Sequence, residues 1–270
     1  MDSLQSIDWI IIIGVISITL LIRFFSGRLK DGSADEYIVS SRNMGLFTFV
    51  AVNVTTWYGG ILGIGEYSYR YGLSSWFTQG LPYYIFALIF AFLFAGKIRA
   101  TGLLSIPDKV EVEYGRKVAM VASILIFIIT SPAPYLLTAS QIIATVFGVG
   151  LELPLFLIPV ALISHLSIKG FKSNIKVDVF LFLFMFLGFI AAVIYLLVDY
   201  GGATFLQENL PATHLTPTGG TGYFYMLVWY LVAAWTIADP GFHQRVYATK
   251  NADVAKKGII ISVVLWFVFD

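Results

Sequence analysis

The chain contains no cysteine, which excludes disulfides, thiolate metal sites and cysteine nucleophiles. Histidine is scarce: only residues 165, 214 and 243 are histidines, at spacings that suit no metal site. Charged residues make up 12% of the sequence, about half the usual soluble share. With so little charge, the net +1 gives no reason to expect a nucleic-acid partner. HEXXH, paired aspartates on one helix and serine–lysine pairs are also missing, so no intramembrane enzyme constellation is readable. The opening MDSLQSIDW carries Asp2 and Asp8 but no basic residue, unlike a cleaved signal peptide.

What the sequence has in excess is apolar length. Hydrophobic residues reach 58%, more than a soluble fold with so little polar exterior can bury, so an all-α integral membrane protein is expected. Apolar spans are read at Trp9 to Phe25, Leu46 to Tyr69, Trp76 to Ala95, Val118 to Val149, Leu153 to Ile168 and Val177 to Val198. A seventh starts near Tyr223 and ends around Asp239-Pro240-Gly241, and an eighth starts at Ile259. Between the third and fourth spans Pro107 argues against one continuous helix, and Ser131-Pro132-Ala133-Pro134 should bend the fourth. A basic turn, KGFKSNIK, is expected between the fifth and sixth, and Gly201 to Gly222 reads as a Gly/Thr/Pro-rich loop.

The positive-inside rule orients these spans. With the N-terminus outside, every Lys and Arg of the 17 except Arg70 falls on the cytoplasmic side. The reverse orientation misplaces all but that one.

The second span departs from a plain anchor. Gly59-Gly60 interrupts it, and Asn53, Thr56, Gly60 and Gly63 fall on one helical stripe. Small residues alone serve close helix packing. A broken helix whose freed carbonyls coordinate an ion or solute is the sharper reading.

TIADPGFHQRVYATKNADVAKKG, after the seventh span, resembles the corresponding stretch of the sodium:solute symporter family. GIGEYSYRYG, SIPDKVEVEYG and the Val-Asp pair that opens the sixth span look like the same family. The resemblance implies a leucine-transporter-like inverted-repeat fold, incomplete here, with about seven and a half transmembrane helices. One transmembrane domain would cover 1–270, with an accessory helix at 7–25, a first repeat at 44–200 and the start of a second at 223–270. The chain would then be the front part of a longer protein. The implied activity is sodium-coupled symport of a small organic solute by alternating access, in the inner (plasma) membrane. Sodium would be the coupling ion, with no cofactor, and the partners would be the solute, sodium and the lipid bilayer. The alternative is a membrane sensor with a symporter-like domain linked to a signalling domain beyond residue 270.

By the same resemblance, sodium would be held by the backbone carbonyls of Asn53 and Thr56, with hydroxyls from a following helix. Thr56 also reads as a residue bonding back to its own helix. Asp178 would lie on the inner sodium route, or else cap the sixth helix beside Lys176. Gly60, Gln79, Val232 and Trp235 would face the solute. Gln79 equally suits a helix–helix hydrogen bond, and Trp235 a core or interfacial place. Glu66 is expected to pair with Arg70 one turn later.

Overall fold

The computed structural model describes residues 5–26 and 34–270, the side chains of 34, 35, 41 and 164–173 excepted. Asp2, Arg28 and Lys30, and the side chains of His165, Lys169 and Lys172, lie outside the described residues. In chain order the helices are α1 (Ser6–Phe25), α2 (Ala34–Val39), α3 (Leu46–Trp57), α4 (Ile61–Tyr71), α5 (Leu81–Leu93), α6 (Ala95–Ala100) and α7 (Ile106–Tyr114). They continue as α8 (Arg116–Ile129), α9 (Ala133–Phe147), α10 (Glu152–Tyr200), α11 (Ala203–Asn209), α12 (Tyr223–Ala233), α13 (Pro240–Tyr247) and α14 (Ala252–Phe269). No β-strand occurs among the described residues, so the all-α membrane fold read from the sequence holds. Five helical stretches are long and apolar enough to cross a bilayer: Ser6–Phe25, Leu46–Tyr71, Trp76–Leu93, Arg116–Phe147 and Asn174–Tyr200.

The chain divides into two compact units, 1–43 with 107–180, and 44–106 with 181–270. In the first, none of α1's residues is buried, as suits a helix facing lipid. Its start is closed by a capping box between Gln5 and Asp8, and Trp9 meets the Phe147 ring edge-on at 5.3 Å. Pro107 opens α7 rather than interrupting it, because a proline in the first helical turn loses no hydrogen bond. Gly115, at φ +82°, separates α7 from α8. The fourth span breaks at Ser131-Pro132 as expected, with Pro134 in the first turn of α9.

One expectation fails. The basic turn at 169–176 is not a turn, since α10 runs unbroken from Glu152 to Tyr200. The stretch lacks proline and has one glycine, so local propensity offers no stop signal. At 49 residues, roughly 73 Å long at 1.5 Å per residue, α10 outruns a single bilayer crossing. The lysines at 169, 172 and 176 divide it into two apolar arms, Glu152–Ile163 and Asn174–Tyr200.

In the second unit α3 buries Phe49 to Val54 on α14. Gly258 makes that approach possible: a Cβ there would stand 2.3 Å from Cδ1 of Phe49. Trp57 and Trp266 lie 5.0 Å apart on the same seam. The eighth helix begins at Ala252, ahead of Ile259, because the Asn251 side chain accepts from Val254 N at 2.9 Å and caps it. Phe90 of α5 packs against Phe242 and His243 of α13, at 5.0 and 5.2 Å between ring centroids.

Candidate functional site

Two spans are interrupted near their middles. The second passes from α3 through a 3₁₀ turn at Tyr58–Gly60 into α4, and the seventh from α12 through Ala234–Ile237 into α13. A 3₁₀ insertion within a long helix is a common mark of a functional hinge. Glycine supplies the first break. At the second, Asp239 Oδ1 accepts from Phe242 N at 2.6 Å and Pro240 starts the new helix.

Asn53 sits in α3 one turn before the first break. It is 1% exposed, and neither amide atom has a hydrogen-bond partner. A buried unpartnered amide costs roughly 1–3 kcal/mol, so the site calls for a polar occupant. Phe49 faces Gly258, and eight residues further along each helix Trp57 faces Trp266, which places Asn53 about level with Ser262. Ser262 is fully buried and donates to Gly258 O at 2.8 Å. Thr56 is exposed and its hydroxyl donates to Val52 O at 2.7 Å, the back-bonded arrangement.

Beyond the first break lies a cavity of about 270 Å³. Its walls come from α4, the π-helical turn Trp76–Gly80, α11, the 3₁₀ turn Ala212–Leu215, and Asp270. The loop side is fastened to the C-terminal end of α4. Leu73 N donates to His214 O at 2.8 Å, and His214 Nε2 meets Tyr69 O at 3.0 Å. Gly72 has φ +58°, and a Cβ there would stand 2.3 Å from His214 O, so only glycine permits this seating. On the opposite wall the Asp270 carboxylate accepts from Tyr58 Oη at 2.7 Å and from Tyr84 Oη.

Of the residues expected at the solute, Gln79 lines this cavity, from the π turn. Gly60, Val232 and Trp235 are exposed and stand outside its wall, the last on the 3₁₀ turn of the seventh span. Asp178 lies well inside α10, so no helix start is there for it to cap, and the charge of Arg23 in α1 acts on it. Glu66 and Arg70 pair at 2.7 Å, as the i,i+4 spacing requires. Among the described residues no three His, Asp or Glu side chains gather to hold a metal.

The sequence reading did not single out Tyr58, Trp76 or Tyr84, whereas Asp270 was readable as an acid following an apolar run, costly in a membrane. Tyrosine and tryptophan are so frequent here, at 15 and 6 residues, that composition marks none of them.

A search of curated proteins finds no match to the chain. The family model of the sodium:solute symporters matches residues 37–269, well over half of the chain, taking in both interrupted spans and the cavity wall up to its last residue. With that match and the multi-pass helical fold, the chain belongs to the sodium:solute symporter family.

Proposed function

We propose that this protein moves a small organic solute across the plasma membrane together with sodium, by alternating access. Sodium-coupled solute symport is the activity of its family, whose members are transporters. The observation that carries the reading onto this chain is Asn53: a buried amide without a partner, one turn ahead of a helix break. Sodium is a hard cation that seeks oxygens. The Asn53 side-chain oxygen, its carbonyl and that of Thr56 offer them without burying a formal charge. The solute approaches through the 270 Å³ cavity, where Gln79 gives it a polar contact. Gly60, Val232 and Trp235 meet it deeper along the route. The N-terminus lies outside, so the cavity opens outward and Asp178 enters the membrane from the cytoplasm. The two interrupted helices occupy matching places in a leucine-transporter-like repeat, where half-helix ends meet ion and solute.

The experiment is uptake by proteoliposomes holding the protein, with and without an inward sodium gradient, over radiolabelled sugars, amino acids, carboxylates and amines. At least one solute is expected to accumulate only with the gradient. Accumulation indifferent to sodium contradicts the proposal. Replacing Asp178 by Ala should raise the sodium concentration for half-maximal uptake more than it changes solute affinity at saturating sodium. Orientation is tested on the cysteine-free background: Thr216→Cys should be labelled only from outside and Lys256→Cys only from the cytoplasm.

A further inference from the structure

We infer that Arg99 is a positioning residue that pins the start of the second span to the end of the seventh, so that α3 and α13 move as one body. The inference rests on the transport reading above and adds a mechanical part to it. Its ground is a backbone join between segments far apart in sequence. Met44, just before α3, forms a parallel bridge with Thr249, just after α13. Met44 N donates to Ala248 O at 3.0 Å, and Lys250 N donates to Met44 O at 3.0 Å. Thr249 is fully buried and Met44 nearly so, which keeps water from competing for these bonds.

Two backbone bonds, each modest in net effect, would alone be a weak join. Arg99 strengthens it from a third segment. It lies in α6, which follows the third span, and its Nε donates to Thr249 O at 2.6 Å and its Nη2 to Lys250 O at 3.2 Å. These carbonyls belong to the turn between α13 and α14, where the backbone has left one helix and not yet entered the next. A cation there also meets the negative end of the α13 dipole. Because the guanidinium is planar and rigid, its fork fixes direction as well as distance. The successive carbonyls of Ala248, Thr249 and Lys250 thus all accept from Met44 or Arg99. From within, Thr249 Oγ1 donates to Val246 O at 2.8 Å and braces the same turn. Packing holds Arg99 in reach, since α6 lies on both α13 and α14, with Ala95 and Ala255 fully buried.

The consequence falls on the two breaks. α3 leads into the break of the second span, and α13 leads away from that of the seventh. With the ends of both half-helices clasped, neither swings away alone. Bending of the second span is then confined to its 3₁₀ turn at Tyr58–Gly60 and does not occur at its foot.

The test places nitroxides on Leu46→Cys and Lys250→Cys, both exposed positions, and reads their dipolar coupling in the purified protein. Strong coupling is expected, equal in sodium and in potassium. Arg99→Gln should lose it in a fraction of the molecules, and so should Arg99→Lys, which keeps the charge but not the fork. A contact that serves stability alone would lower Tm and leave the coupling of the folded protein intact. If Arg99→Gln does not fold, Arg99→Lys decides: coupling as strong as in the unmutated clasp overturns the inference. Coupling that weakens when sodium replaces potassium in the protein with Arg99 intact overturns it too.

A second arm closes the clasp covalently. The bridge sets Met44 and Thr249 side by side, the placement a disulfide needs, so Met44→Cys with Thr249→Cys can be oxidised in a chain free of other cysteines. Sodium-driven uptake over the radiolabelled panel above should survive oxidation, because the clasp stays shut throughout the cycle. In the Arg99→Gln background, oxidation should restore an uptake rate that the substitution lowers several-fold. Uptake lost on oxidation and regained with reductant overturns the inference and leaves the symport reading standing. Strong, Arg99-dependent coupling in a protein whose uptake is indifferent to sodium does the reverse.

Discussion

The second and seventh spans both pass through a 3₁₀ turn near mid-helix, but the groups around the turn meet different partners. At the seventh, the chain closes its own break. Asp239 accepts from the Phe242 N–H in the first turn of α13, and His243 Nε2 lies 2.9 Å from Ile237 O on the other side. At the second, no side chain caps the turn, and Gly59 and Gly60 are exposed. Its shape is held from outside by α14: Trp57 lies on Trp266, and the Tyr58 ring is 4.2 Å from that of Phe269. A break capped by its own residues is a fixed joint. The second-span break is held instead by packing and by the Tyr58 hydroxyl on Asp270, and the unpartnered Asn53 amide lies one turn before it.

The largest effect is expected where that outside support is removed. Gly258→Leu drives a side chain into the Phe49 ring and should cost about 3 kcal/mol of stability. Thermal unfolding in detergent measures it, and a variant as stable as wild type would show that α3 does not depend on this contact. Next comes Asp239→Ala, which removes a cap worth about 1 kcal/mol and should leave sodium dependence unchanged. A shift in the sodium needed for half-maximal uptake would mean that the seventh-span break also handles the ion. The smallest effect belongs to Thr56→Ala. It loses a back-bond to Val52 O that adds little to a helix, and the carbonyl proposed as ligand stays, so stability should move by less than about 0.5 kcal/mol. A larger loss of sodium affinity would transfer the ligand role from carbonyl to hydroxyl.

Both breaks were legible because Gly-Gly and Asp-Pro-Gly are backbone signals that act locally. The Glu66–Arg70 pair and the bend at Ser131-Pro132 were readable for the same reason: the determinants lie within one or two turns. The π turn at Trp76–Gly80 was not, since nothing in WFTQG marks it, and Gly80 is explained only by Tyr84 and Asp270 closing on it in space. Asp270 stands 212 and 186 residues from the tyrosines that hold it, beyond any spacing rule. The unbroken α10 shows the opposite failure. Charge alone indicated a turn at 169–176, while the backbone had no reason to leave the helix.

The claim that the second-span break is the sodium site is tested most directly by Asn53→Leu, which fills nearly the same space without an amide. The measurement is Tm of the purified protein against sodium concentration, with potassium holding ionic strength constant. In wild type, sodium at ten times its Kd should stabilise by about 1.4 kcal/mol. In the variant the sodium-free Tm should equal or exceed wild type, because an unpartnered buried amide is gone, and the sodium-induced rise should vanish. A variant whose Tm still climbs with sodium as wild type does would contradict the account.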